Sequence, residues 1–318
     1  MKKTARDTPS FLRINKFPPV DTSSILYLQK GMIIINHPMQ RLIRFEAYGI
    51  LFILAGIFGA LITLEPLNYD LLVLIIFIAA SSAFGFVIND ISDMALDARA
   101  GNPRNPLADG SMTCRSAQQV SAVFLVLSGA CMAVLPAYLL PIELAVLFVF
   151  VTYSFFVKAK NIAGLDLVYH ALFPALYGVL GYVLYHTMDL TGLVFFVLLG
   201  IFGAVGEVCN EIRDLEKDRS ERKNTVVVLG ERWGFYLLMA LMGTAFAIIG
   251  VFSISEPNFS WLLLFVPLGF ILIHPAWKAM KEPEYRQKFV DVINARAIAL
   301  AVIMLAVFGI LHYCIYLI

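Results

Sequence analysis

The chain is short of charge. Of its 318 residues, 15% are Asp, Glu, Lys or Arg and 60% are hydrophobic, whereas a soluble domain carries about 25% charged and about 45–50% apolar residues. With a mean hydropathy of +0.80, this composition excludes an ordinary soluble globule and points to a polytopic membrane protein. Cysteine is scarce as well. Cys114, Cys131, Cys209 and Cys314 form no C-x-x-C pair and no metal-like spacing, so they read as small apolar residues or free thiols. Residues 1–30 lack an apolar core long enough for a cleavable signal peptide. Nothing in the composition calls for nucleic acid as a partner.

A bilayer span needs about 20 mostly apolar residues. Stretches of that kind lie near 46–64, 69–89, 117–136, 140–157, 166–186, 191–209, 233–254, 260–276 and 294–317. The expected fold is therefore all-α, a polytopic membrane bundle of nine transmembrane helices (46–318) behind an N-terminal tail with an amphipathic segment (1–45). Positive charge is missing from one whole side of this arrangement. All 24 Lys and Arg fall in 1–45, 90–116, 158–165, 210–232 and 277–296. The opposite turns, near 65–68, 137–139 and 187–190, have none. By the positive-inside rule the N-terminus and the long loops are cytoplasmic.

Negative charge is concentrated where it is least expected. "NDISDMALD" (89–97) and "NEIRDLEKD" (210–218) share Asn, an acid, Ile, Asp, an apolar residue and Asp in one register. Asp90, Asp93 and Asp97, and Glu211, Asp214 and Asp218, are spaced three and four apart. On a helix each set stacks on one face, where like charges repel. Each also ends an apolar span, at the negative end of the helix dipole. The shared register implies two pseudo-repeated halves presenting acidic helix ends to one cytoplasmic mouth. Such oxygen ligands suit Mg²⁺, which binds through carboxylates, waters and substrate phosphates; no EF-hand loop is present. Six acids fit two or three ions bridging to a diphosphate. Basic residues to complete such a site stand close by: Arg99 and Arg104, Lys158 and Lys160 in "TYSFFVKAKN", and Arg213, Arg219, Arg222 and Lys223.

These residues resemble the UbiA superfamily of intramembrane prenyltransferases. That family has nine helices, an N-D-x-x-D-x-x-x-D motif after the second and a D-x-x-D-x-x-x-D motif after the sixth. Asn89, Asp90, Asp93 and Asp97 match the first motif completely; the second is matched with Glu211 leading. "YSFFVKAK" is similar to the family's Tyr-containing stretch ending in lysine, giving Tyr153 and Lys158 or Lys160. "KNTVVVLG" is similar to its K-T-x-P-x-x-x-G stretch, giving Lys223, with Asn224 and Val226 in the usual Thr and Pro positions. Asn105 stands where the family has Arg, with Arg104 one residue early as the candidate substitute.

The resemblance implies transfer from an allylic isoprenyl diphosphate to a lipophilic acceptor, be it an aromatic quinone precursor, a glycerophospholipid or a polyprenyl or carotenoid chain. Asp90, Asp93, Asp97, Asp214 and Asp218 are the catalytic candidates, and with Glu211 they are the Mg²⁺ ligands. Candidates for substrate binding are Asn89, Arg99, Arg104, Tyr153, Lys158, Lys160, His170, Asn210, Arg219 and Lys223. Neutralising the departing diphosphate lets its C–O bond ionise, and an apolar, aromatic interior keeps the allylic cation from water. Phe84 and Phe86 precede the first motif by a turn or so, and His170 and Tyr177 share a face of the fifth span. His170 reads as a base, an acceptor-binding group or a hydrogen-bonded interior residue. Gly178 and Gly181, and Gly200, Gly203 and Gly206, read as sites of close helix packing. A terpene cyclase ionising the same diphosphate without a separate acceptor is the alternative. A transporter built on two half-repeats is a third reading, but transporter sites lie near the bilayer midplane, not at one surface.

Overall fold

The computed structural model describes residues 37–101, 104–220 and 222–317. The described residues form eleven α-helices: α1 (Pro38–Ile43), α2 (Ile50–Leu61), α3 (Asp70–Ala100), α4 (Cys114–Val134), α5 (Leu140–Val151), α6 (Leu165–Tyr185), α7 (Leu190–Asp218), α8 (Thr225–Leu229), α9 (Glu231–Ser255), α10 (Phe265–Lys281) and α11 (Arg286–Leu317). Among the described residues there is no strand. The expected tail lies outside the described residues except for its last part, where α1 covers some of the amphipathic segment. Side-chain caps mark the starts that the sequence signals: Thr113 accepts from the Ser116 amide, Asp189 from Gly192 and Asn224 from Val227. Gly101, at φ 63°, ends α3 in the left-handed conformation that glycine adopts freely.

Among the described residues seven helical stretches are long and apolar enough to cross a membrane: Asp70–Arg99, Cys114–Val134, Ala137–Phe156, Leu165–Tyr185, Leu190–Glu216, Glu231–Ser255 and Lys288–Val307. Helices also occupy the other two expected stretches. There α2 has 12 residues and is preceded by a π-helical turn (Phe45–Gly49). The other, α10, has 17 residues and follows a 3-10 segment (Pro257–Leu264). Both are shorter than the usual spanning length.

The two helices that carry the acidic motifs are the longest of the first seven. At 31 residues, α3 is about 46 Å long at 1.5 Å per residue, well beyond a hydrocarbon layer of about 30 Å. Neither helix stops where its apolar run stops; both continue through the whole motif, so each acid stripe is set on a rigid rod.

Those rods are held by a close seam between α2 and α6. A Cβ on Gly59 would strike the Gly178 carbonyl, and one on Gly181 the Gly56 carbonyl, so the two backbones touch where the glycines face each other. Around this seam Phe77, Ile78, Phe84, Phe150, Phe173, Tyr177 and Leu180 form one core. A second core joins α7 and α9–α11 through Val208, Ile212, Phe235, Leu238 and Phe289. The expected glycine ladder on α7 holds only in part. Gly203 abuts the His170 carbonyl and Gly200 is in ordinary contact with Ala171, but Gly206 faces open space. Three glycines in register therefore do not make a continuous packing stripe.

Gly181→Val should cost at least the roughly 1–3 kcal/mol typical of an overpacked core, lowering the melting temperature in detergent. Gly129→Ala, at an open position on α4, should leave it unchanged or raise it. Equal effects of the two substitutions would show that the seam is not packed backbone to backbone.

Candidate active site

The acid stripes at the ends of α3 and α7 are buried. Asp90, Asp93, Asp97, Glu211 and Asp218 are buried, while the Asp214 side chain is 40% exposed. Burying this much like charge is unfavourable unless each carboxylate meets a cation or donor. Every one of the six does.

On the first stripe, Asp90 pairs with Arg44, Asp93 pairs with Lys160, and Asp97 accepts from the Asn105 amide at 2.9 Å. Asn105 also donates to the Asp90 carbonyl at 2.9 Å, which ties the α3–α4 connection to the motif. On the second stripe, Glu211 accepts from the Val226 amide at 2.8 Å, Asp214 is held by its neighbour Arg213 at 2.7 and 2.9 Å, and Asp218 accepts from the Asn224 amide at 3.0 Å. The third acid of each stripe thus takes the same kind of donor, an asparagine from the following connection. One side chain links the stripes: Arg222 lies 3.7 Å from Asp93 and 3.9 Å from Asp218.

Local backbone geometry sets which cations reach the site. After α5 the chain makes a π turn (Thr152–Phe156), passes through Lys158 at φ 50°, and enters a 3-10 turn (Ala159–Asn161). Such turns and left-handed non-glycine residues concentrate where a chain is bent for function. Here the bend buries Lys160, which also donates to Asn89 at 3.1 Å and to Ser92 at 3.3 Å, and leaves Lys158 exposed. Arg44, at φ 52°, occupies a matching bend between α1 and the π turn before α2. Burial lowers the Lys160 ammonium below its ordinary pKa, against the upward pull of Asp93. For Arg222 burial also opposes charge, but Asp218 and Asp93 outweigh it and hold the guanidinium above its usual value.

Behind the stripes lies an aromatic wall. Tyr153 meets His170 edge-on at 5.3 Å and Phe173 edge-on at 5.6 Å, and Phe173 lies 6.2 Å from Phe52, which stacks on Phe86 at 6.1 Å. The Lys160 ammonium is 6.0 Å from the Tyr153 ring centroid. Tyr177 is buried and bonded to Ser81 at 2.8 Å, a packing role. Asn210 sits at the edge of this space, within 3.5 Å of both Tyr48 and Glu207.

The structure therefore brings together Asn89, Tyr153, Lys160, His170, Asn210 and the six acids. It places Arg99, Arg104, Lys158, Arg219 and Lys223 at the exposed rim, Arg219 in a surface pair with Glu216. Arg44, Asn105, Asp166 and Glu207 were not among the candidates. Asp166 is buried and takes the Thr225 amide and hydroxyl at 2.6 and 2.5 Å. Glu207 was legible, since it extends the second stripe four residues upstream in the same three-and-four register. Arg44 follows no pattern.

No three acids or histidines converge as a ready-made metal site among the described residues. Even so, Asp90 Oδ2 and Glu211 Oε1, one on each stripe, are buried without a partner. Orphaned carboxylate oxygens of this kind are costly unless a donor or cation satisfies them, and a hard divalent ion is suited to them.

A membrane-embedded helical bundle whose two acid-bearing helix ends share a mouth is the architecture of an intramembrane enzyme acting on an anionic substrate. The sequence profile of the UbiA prenyltransferase family matches residues 49–296, and the chain belongs to that family, as an integral membrane prenyltransferase. A digeranylgeranylglyceryl phosphate synthase of Haloquadratum walsbyi is 27% identical over 216 residues, covering 65% of this chain and 73% of the relative. Two solved structures share the fold. A UbiA homolog from Archaeoglobus fulgidus bound to GPP and Mg²⁺ matches with a TM-score of 0.66 and 19% identity over 85% of this chain and all of that one. The apo structure of a UbiA homolog from Aeropyrum pernix K1 matches with a TM-score of 0.66 and 20% identity over 80% of this chain and 96% of that one.

Lys160→Met would remove the closer of the two cations on Asp93 and leave it only Arg222, at 3.7 Å; breaking a buried pair costs up to about 3–5 kcal/mol. Lys158→Met removes an exposed charge. Thermal unfolding in detergent should separate the two by several degrees; similar melting temperatures would contradict the placement of Lys160.

Proposed function

We propose that this protein is a Mg²⁺-dependent prenyltransferase that moves a prenyl group from an allylic isoprenyl diphosphate to a lipophilic acceptor of the glycerophospholipid type. The observation that carries this reading is the pair of buried acid stripes, in one register on two helix ends, joined by Arg222. The A. fulgidus homolog was solved with GPP and with DMAPP, each with Mg²⁺, and the H. walsbyi relative is named for a glycerophosphate lipid product. Both support the choice of donor, ion and acceptor class.

In this reading Asp90, Asp93 and Asp97, with Glu211, Asp214 and Asp218, hold the magnesium. When bound, the ion offsets charge on the diphosphate as it departs. Lys160 and Arg222 then turn part of their charge from carboxylates to diphosphate oxygens, with Asn89 and Asn210 at its flanks. Arg99, Arg104, Lys158, Arg219 and Lys223 form a basic rim that attracts the anion. The faces of Tyr153, Phe173, Phe52 and Phe86 stabilise the allylic cation, by about 0.5–2 kcal/mol each. The bundle excludes water from it. The same reading takes α2 and α10 as the first and eighth of nine crossings, in two pseudo-repeated halves. The N-terminus and the mouth are cytoplasmic, where the lysines and arginines lie, and residues 46–318 form the transferase domain behind the 1–45 tail.

Purified protein given geranyl diphosphate and Mg²⁺, with a monoprenyl glycerol phosphate, an aromatic quinone precursor or a polyprene, should yield prenylated lipid with the first and release diphosphate. A cyclic hydrocarbon formed without acceptor would replace transfer by cyclisation. Asp90→Ala and Asp214→Ala should each lower diphosphate release by two or more orders of magnitude, on the scale of lost electrostatic stabilisation. Release that survives either change would sink the metal-cradle assignment.

A further inference from the structure

We infer that Glu207 takes up the proton displaced when the prenyl group bonds to its acceptor, and that His170 positions this carboxylate and balances its charge. The inference rests on the transferase reading above. Every acceptor class considered there exchanges a hydrogen for the prenyl group, so the reaction must discharge a proton inside a bundle built to exclude water. The C–O bond to diphosphate breaks with its electron pair leaving on oxygen. A bond forms between the allylic carbon and the acceptor atom, that atom's bond to hydrogen breaks, and the proton goes to Glu207. No oxidation or reduction is involved.

Atom chemistry assigns the roles. His170 Nδ1 lies 3.1 Å from the Asp166 backbone carbonyl, which can only accept, so Nδ1 carries a hydrogen. His170 Nε2 lies 3.0 Å from Glu207 Oε2, and a hydrogen bond there puts one more proton between ring and carboxyl. Both ring nitrogens are thus occupied, and His170 has none left to offer a substrate. The reading of His170 as a base moves to its partner. An imidazolium beside it also makes a Glu207 carboxylate tolerable in an apolar bundle, because the pair is neutral as a whole. Oε2 receives His170 and, at 3.5 Å, the Asn210 amide, which leaves Oε1 to accept the proton.

Position supports the assignment. Glu207 precedes Glu211 by four residues on the same face of α7, about 6 Å further along the axis into the bundle. Its partner His170 adjoins the aromatic wall, edge-on to Tyr153 at 5.3 Å and to Phe173 at 5.7 Å. Asp166, the neighbouring carboxylate on α6, has both oxygens committed to Thr225. The acids of the stripes serve the other end of the substrate.

The test measures diphosphate released against prenylated product, using geranyl diphosphate, Mg²⁺ and a monoprenyl glycerol phosphate. Wild-type protein should give about one product per diphosphate. Glu207→Gln should lower transfer at least about tenfold more than release, since a positioned base contributes about 10²–10⁴-fold, with prenyl alcohol making up the difference. Glu207→Asp should recover part of the coupling, and His170→Gln should uncouple in the same direction but less. A one-to-one ratio in Glu207→Gln overturns the inference, as does loss of release and transfer together in a variant that elutes and melts like the wild type. If Glu207→Gln does not fold, His170→Gln decides: an unchanged ratio overturns the assignment. Wild-type protein that releases no diphosphate at all instead overturns the transferase reading.

Discussion

Six carboxylates at the ends of two membrane helices cannot be left unsatisfied, and the rest of the site is organised around that constraint. A single isolated buried carboxylate costs several kcal/mol even after relaxation. The chain answers with three kinds of partner, each from a different source. Arg44 and Lys160 come from bends before α2 and after α5, Asn105 and Asn224 from the connections after each stripe, and Arg222 from the segment that leaves α7. Long-range folding and local charge neutralisation are therefore one event: the helices cannot come together without these partners, nor the partners be buried without the helices. The same carboxylates suit an anionic substrate with its hard cations, because guanidinium and ammonium groups already stand beside them.

Much of this was legible in the sequence. The stripes could be found because a helix repeats every three to four residues and both stripes have that spacing. The helical character of the apolar stretches could be found because their lengths match a bilayer. What could not be read was how the chain bends. "YSFFVKAK" offers two lysines, and only the left-handed Lys158 and the turn after it put Lys160, not Lys158, against Asp93. Arg44 lies 46 residues from Asp90, and no local periodicity relates them. Glycine spacing was informative on α6 but not throughout α7, since Gly206 follows Gly203 by three residues, yet a Cβ there would meet no neighbour. Periodicity says which residues share a face; it does not say what the face meets.

The departures from the family pattern take on a meaning in three dimensions. Asn105 and Asn224 occupy positions where Arg and Thr are usual, and each binds the last acid of its own stripe through its amide. The two asparagines make the same kind of interaction on the two stripes. An amide donates without adding charge, so the positive charge that offsets the acids comes from Lys160, Arg44 and Arg222 and not from these two asparagines.

Arg44 bears on where this enzyme begins. The family profile starts at residue 49, which would put a domain boundary just after Arg44. Yet the counter-charge of Asp90 comes from the other side of it. The bundle matched by the family profile is completed by a residue from the segment that precedes it. Exchanging that leading segment between relatives would not be a neutral splice, because it would carry part of the pocket's charge balance with it.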